Sequence, residues 1–325
     1  ALHHGVTTLI DHHASPEAIS GSLAMLRDEV LETGLRGIFA YEVTDRNGKE
    51  GAEAGLREHR SLGSPPVDGS WGILAGAHAG FTLSESTLAA TVGLAGDLGA
   101  GLHIHVAEGP EDGEDARRQG YRNPVDRLRS HGGLGPRTVL AHGIHLDREA
   151  WTAVRESESW IVVNPRSNMN NGVGTAPFAE HPERRALGTD GIGSDMLAET
   201  RALYWKLQES GAGGGPAAAL SYLGGSQRLA GTILGVDLHT LTPGAAGDLV
   251  VFDYFAPTPM TPENLAAHVV FGLESRAIRD VVSGGRVLLE NRCPPEEAAG
   301  FEADLAARAR EGAVRLWSRM EGLPR

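Results

Sequence analysis

Histidines and carboxylates in this chain stand where they could hold a metal ion and move protons. The densest string is His103-Ile-His105-Val-Ala-Glu108. Side chains alternate along a strand, so His103 and His105 share one face while Leu102, Ile104 and Val106 share the other, towards covering helices. Buried imidazoles need partners, and one metal ion satisfies several of them. The competing reading is a solvated pair at a strand end. Similar groups close other apolar runs: Asp11-His12-His13, His78, His142 and Asp190. Seven of the 14 histidines (His12, His13, His78, His103, His105, His142 and His145) fall at such places. In a barrel of parallel strands those ends lie on one face, which supplies catalytic residues from several strands.

Asp190, in Leu187-Gly-Thr-Asp190-Gly, has the small residues Ala186 and Gly188 as its same-face neighbours. A carboxylate there needs a charge, a hydrogen bond or a metal. Its other reading, a helix N-cap, suits Ser194 or Asp195 better, because the helical pattern begins after them. Asn164 to Gly172 is dense in turn formers and is expected to be a loop. Asx hydrogen bonds would make it rigid, or it would form a polar rim that reads substrate amides.

The elements that would position these groups alternate in kind. Apolar runs Val6 to Asp11, Gly37 to Val43, Gly72 to His78, Leu102 to Ala107, Thr138 to His142, Trp160 to Asn164 and Ala186 to Asp190 read as seven strands. Amphipathic stretches between them read as crossover helices, among them Pro16 to Thr33, with Ser15 as N-cap, and Ser84 to Leu98. The pattern is α/β with a parallel sheet. Seven strands fit an open doubly wound sheet, or a closed barrel whose first strand precedes the helix tail at Ala1 to Gly5.

After Asp190 a helix is expected from Ser194 to Glu209, then a Gly- and Ala-rich stretch and a second helix. A small β module follows, with strands Asp248 to Asp253, Ile278 to Ser283 and Arg286 to Leu289. Gly284-Gly285 is a hairpin signal between the last two. A C-terminal helix should run from Pro295 to about Met320. The organisation expected is a barrel over 1–235, a β-sandwich remnant over 236–292 and a helical segment over 293–325.

The bulk numbers exclude some classes. With 325 residues the chain exceeds the roughly 250 of one barrel. A net charge of −13 repels phosphate backbones and anionic lipids, which argues against nucleic acid and membrane partners. One cysteine, Cys293, forms no intramolecular disulfide, and no apolar run approaches 18 residues, so the compartment expected is cytoplasmic.

Taken in order, Gly5-Val-Thr-Thr-Leu-Ile-Asp11, His103-Ile-His105-Val-Ala-Glu108, Leu140-Ala-His142-Gly, Asn164-Pro-Arg-Ser-Asn168 and Leu187-Gly-Thr-Asp190-Gly resemble the amidohydrolase superfamily. The similar branch contains guanine deaminase, adenosylhomocysteine deaminase and triazine hydrolase. Pro243-Gly-Ala-Ala-Gly-Asp248-Leu-Val-Val resembles the strand that returns to that family's small β-sandwich. Asp11-His-His-Ala-Ser-Pro16, Tyr41-Glu-Val-Thr-Asp-Arg46 and Thr258-Pro-Met-Thr-Pro262 look most like the aminohydrolase SsnA group.

The resemblance implies a (β/α)8 TIM-like barrel lacking its first strand, with the C-terminal part of a small β-sandwich. It implies a hydrolase or deaminase acting on carbon–nitrogen bonds of a small heterocyclic substrate, with one divalent metal, zinc before iron, and favours a homodimer. His105, Asp190 and His142 would hold or flank the metal. Glu108, His142 and Asp190 would carry the chemistry, and His12, His13, His78 and Asn168 would contact substrate. The family's HxH pair at the end of its first strand has no counterpart here: His3-His4 is adjacent, and only one of His12 and His13 can face inward. The polypeptide is therefore expected to bind metal weakly and to show little activity, and the β-sandwich, without its upstream strands, to leave apolar edges uncovered. Two other readings stay open, ring opening of a cyclic amide at the same site and a barrel that serves only as a scaffold.

Overall fold

The computed structural model describes residues 1–178 and 183–321. Eight strand segments run parallel: β1 (Thr8–His13), β2 (Arg36–Tyr41), β3 (Trp71–Ile73), β4 (Ala75–Ala79), β5 (Leu102–Val106), β6 (Val139–His142), β7 (Trp160–Val163) and β8 (Arg185–Leu187). They pair in the order β1-β2-β3 and β4-β5-β6-β7-β8. Only Leu74 separates β3 from β4, so the two are one strand with a break, and the seven expected strands are all present. Among the described residues no pairing joins β1 to β8.

The break has a physical cause. Leu74 N–H bonds to the Phe39 carbonyl, and β2 and β4 then lose register until Val43 bridges Ala77. The His59 ring fills the seam: its Nε2 accepts from Tyr41 N–H and Gly76 N–H, both at 3.0 Å, while Nδ1–H donates to the Gly55 carbonyl at 2.8 Å. A Cβ on Gly76 would stand 2.3 Å from the Tyr41 carbonyl oxygen, so only glycine allows this approach.

The helices are α1 (Ser22–Glu32), α2 (Gly48–Ser61), α3 (Glu85–Leu98), α4 (Pro110–Arg118), α5 (Pro124–Ser130), α6 (Arg148–Glu156), α7 (Pro165–Asn171), α8 (Met196–Glu209) and α9 (Gly215–Leu234). Beyond them come the short turn α10 (Leu265–Ala267) and the long α11 (Glu296–Glu321). Alternation along the strands divides the core in two. Ala75, Ala77, Leu102, Ile104, Leu140 and Ile161 pack outward with residues of the covering helices. Ile38, Ala40, Leu74, Val139, Trp160 and Ala186 pack inward.

One expectation is corrected. The first helix starts at Ser22, not Pro16, because Glu58 of α2 caps it from a distance, accepting from Gly21 N–H and Leu23 N–H at 2.9 Å each. The Ser15 hydroxyl instead donates to the Ala18 carbonyl within a preceding turn. The edge of β8 is covered by a helix. Ser226 of α9 accepts from Leu187 N–H and donates to its carbonyl, at 2.9 and 2.8 Å. Leu229, Ala230 and Leu234 of the same helix pack into the inward cluster.

The small module is the antiparallel sheet of β9 (Leu249–Phe252), β10 (Ile278–Ser283) and β11 (Arg286–Leu289), in the order β11-β10-β9. Gly284 and Gly285 turn the hairpin with φ of 58° and 76°. The Arg36–Asp248 pair and the packing of Leu2 on Ile278, Val281 and Leu289 tie it to the barrel. Leu2–His4 is a short 3-10 turn closed by left-handed Gly5, as the sequence suggested. No described helix is long and apolar enough to cross a membrane.

Candidate active site

The strand ends carry their histidines towards one another. His12 of β1 has its ring centroid 4.5 Å from that of His103 and 4.8 Å from that of His105. His105 lies 5.5 Å from both His78 and His142. Alternation sends His13 the other way, where it meets Tyr41 edge-on and its Nε2 bonds to Ser15 Oγ at 2.9 Å. Of that pair, His12 is the one inside.

Each inward ring is oriented by a bond to one nitrogen. His105 Nδ1–H donates to the His78 carbonyl at 2.6 Å, which leaves the Nε2 lone pair free. Thr82 gives its own hydroxyl proton to the Ala79 carbonyl, so it accepts from His78 Nδ1–H at 3.0 Å. His142 Nδ1–H donates to Asn168 Oδ1 at 2.9 Å, and its Nε2 faces Glu108 Oε2 at 3.9 Å. Asn168 is buried, and its amide oxygen acts on His142.

Backbone strain re-aims two of these groups. By parity His142 would join Leu140 on the outer face, but its φ of 73° turns the ring towards the mouth of the barrel. Asp190 has φ of 49°. Left-handed backbone at a residue with a Cβ costs on the order of 1–3 kcal/mol, and such costs gather at functional sites. Asp190 accepts from the Ser167 hydroxyl at 2.6 Å and from Gly191 N–H at 2.8 Å. Burial pushes its pKa up, but the Ser167 and Gly191 bonds with His142 and His105 outweigh it and hold the carboxyl below its usual range. The cap of α8 is Asp195, which accepts from Ala198 N–H, so Asp190 is spared that duty.

The segment expected to be a loop, Asn164 to Gly172, is instead the short helix α7, with Pro165 at its start and left-handed Gly172 at its end. Turn formers end a helix as readily as they build a loop, which is why composition misjudged it. The helix places Ser167, Asn168 and Asn171 on the site, Asn171 reaching Glu108 Oε1 at 3.4 Å. Arg166 anchors it by pairing with fully buried Glu199 and donating to the carbonyls of Gly193 and Asp195.

Burial keeps the imidazoles neutral: it lowers His12 well below the usual value, helped by neighbouring histidines, and brings His78 to about 4 and His103 to about 3. It also lowers His105, again with His142 assisting. Neutral imidazole is the form that binds metal. Both ring nitrogens of His12 and Nδ1 of His103 are buried without a hydrogen-bond partner among the described residues. Unpaired lone pairs beside a carboxylate suit a divalent cation.

Among the described residues, His12, Glu42 and His105 bring their donor atoms within 4.8 Å of one another. The trio expected from sequence, His105, His142 and Asp190, is not gathered that tightly. Glu42 was missed because it follows β2 outside any string of histidines. Its one signal is its parity, since it shares a face with inward Ile38 and Ala40.

Comparison with known proteins shows the family. The sequence profile of the amidohydrolase family matches residues 1–288. A 5-methylthioadenosine/S-adenosylhomocysteine deaminase of Desulfitobacterium hafniense is 29% identical over 301 residues, covering 89% of this chain and 67% of that protein. A 5'-deoxyadenosine deaminase of Methanothermobacter thermautotrophicus is 30% identical over 277 residues, covering 81% of this chain and 64% of its own length. The crystal structure of an adenosine deaminase from Xanthomonas campestris with bound zinc superposes with a TM-score of 0.82 at 20% identity, over 98% of this chain and 73% of that one. The chain thus spans about two thirds of the curated relatives it matches. It belongs to the amidohydrolase family, hydrolases of carbon–nitrogen bonds.

Proposed function

We propose that the chain deaminates an amino-substituted nitrogen heterocycle, with adenine nucleosides as the first class to test. One observation carries this reading: Glu108 Oε2 stands 3.9 Å from a His142 ring that Asn168 holds in one tautomer, beside an Asp190 that Ser167 keeps ionised. The names of the relatives support the choice of an aminopurine.

We assign a divalent metal, zinc first, to His105, His142 and Asp190. When bound, such an ion lowers the pKa of a coordinated water to about 7. Asp190 accepts the proton of the attacking water, because it is ionised and its second oxygen remains tied to Ser167 or Gly191. Glu108 delivers a proton to the ring nitrogen beside the attacked carbon, so charge does not build up there, and takes one back from the new hydroxyl as ammonia leaves. His142, with Nδ1–H held by Asn168, would give Nε2 to the metal beside Glu108. The amino group leaves as ammonia with the proton that Asp190 holds, and the ring gains one oxygen. His78, tied to Thr82 at Nδ1, presents Nε2 to the substrate as an acceptor. His13 lies outside the cluster and takes no part in it.

A panel of aminopurines, aminopyrimidines and aminopterins, assayed for ammonia, tests this. Release from at least one member is expected. Ring opening without ammonia would point to cyclic amide hydrolysis, and no turnover at all to a scaffold.

A further inference from the structure

The pocket between β1, β2 and β5 contains more donors than the reaction above uses. His12 and Glu42 are absent from the proton transfers, yet both turn inward and are only 11% and 14% exposed at the side chain. Among the described residues neither His12 nitrogen has a hydrogen-bond partner, and Glu42 Oε2 is 3.8 Å from His12 Nε2, beyond hydrogen-bond reach. Glu42 Oε1 is held by Arg46 at 2.8 Å, which fixes the carboxylate with its other oxygen towards the histidines. His105 is fixed by the His78 carbonyl with Nε2 free. Three donors therefore converge within 4.8 Å, each oriented or enclosed, and no described residue donates a hydrogen bond to the His12 ring.

Leaving such groups buried and unpaired is costly, because their lost contacts with water are not replaced. A cation removes that cost, and two imidazoles with one carboxylate form a common three-residue set for a zinc that keeps an open position. Softness points the same way, since imidazole with carboxylate favours zinc, cobalt or iron over magnesium or calcium.

We propose that His12, Glu42 and His105 form a binding site for a divalent transition metal, so that β1 and β2 supply two of the ligands. The proposal rests on the metal-dependent reading, because His105 has one free nitrogen and both give it to the same ion, to which His12 and Glu42 are added as ligands. It reverses the expectation that a chain without the HxH pair binds metal weakly.

Cobalt(II) titrated into the metal-stripped chain, followed by its visible absorption and by equilibrium dialysis, tests it. The parent should bind one equivalent with the intense absorption of a four- or five-coordinate ion, and its thermal unfolding should move up. His12→Gln and Glu42→Gln should each weaken binding at least tenfold. Parental affinity in His12→Gln or Glu42→Gln, or no binding by the parent, overturns the site. The two readings fail separately. Loss of cobalt in these variants with no ammonia from any panel member sinks the deaminase and leaves the site standing. Ammonia release with cobalt binding indifferent to His12 and Glu42 does the reverse.

Discussion

Asn168 accepts the Nδ1 proton of His142 at 2.9 Å, inside the protein and away from solvent. That bond decides which nitrogen of His142 faces Glu108, so Asn168 positions a catalytic ring without touching the reacting atoms. Asn168→Ala should lower kcat about 10- to 100-fold, in keeping with losses seen when an orienting partner is removed. Asn168→Asp keeps an acceptor and should recover most of the rate. Equal loss in both variants would mean that Asn168 serves substrate binding, and a raised KM would accompany it.

Glu108 is the proton carrier in the proposed reaction, and it is only partly buried. Glu108→Gln preserves its size and its contact with Asn171 but removes the proton. Deamination by this variant should fall by about 10²–10⁴ in kcat, the usual worth of a general acid or base, with KM and thermal unfolding little changed. Parental activity in the variant would remove Glu108 from the reaction.

His59 gives a prediction about stability. Its Nε2 receives two backbone N–H groups at the seam of β2 and β4, and burial brings its pKa from the usual 6.5 to about 4. Below pH 6.5 the unfolded chain takes up a proton that the folded one refuses, so this contribution is complete above 6.5 and lost as pH falls towards 4. Between pH 7 and pH 5 the loss is about 2 kcal/mol. Asp112, whose carboxyl burial pushes up to about 6, acts in the opposite direction. The comparison of parent with variant therefore isolates the histidine. His59→Leu should cost about 2–6 kcal/mol at pH 7, because two buried N–H groups lose their acceptor, and its stability should fall less between pH 7 and pH 5 than the parent's. Urea unfolding at both pH values measures this, and equal falls in the two proteins would contradict it.

The distant cap on α1 gives a further test. Glu58 holds Gly21 N–H and Leu23 N–H from another helix, and it is buried. Glu58→Ala should destabilise the fold by about 2–4 kcal/mol, as two hydrogen bonds to a charged acceptor are lost. Hydrogen exchange should show the first turn of α1 opening first. Protection unchanged at Leu23 would mean that α1 is held by its apolar face alone.

What the sequence disclosed and what it hid follow from the range of the forces involved. Strand runs such as Leu102 to Ala107 were legible because alternation and β-branching are local, and so was Asp195 as a cap, because its partner is three residues away. The start of α1 was not, since its cap is Glu58, 37 residues from Gly21. The break at Leu74 depends on His59, and no pattern within Gly72 to His78 records it. In the site, His105, His142 and Asp190 could be named from strand ends, and parity said that only one of His12 and His13 faces inward without saying which. Glu42 stayed hidden because its meaning comes from His12 and His105, which fold beside it from different strands. The covering of the β8 edge by Ser226 was hidden for the same reason, being made between segments 39 residues apart.

The most direct test of the central claim is to supply the zinc-loaded chain with adenine nucleosides in water enriched in oxygen-18, and to measure ammonia and product mass together. Hydrolytic deamination predicts one ammonia for each product molecule, with one heavy oxygen on the ring carbon that bore the amino group. Product formed without ammonia, or with no heavy oxygen at that carbon, would contradict it.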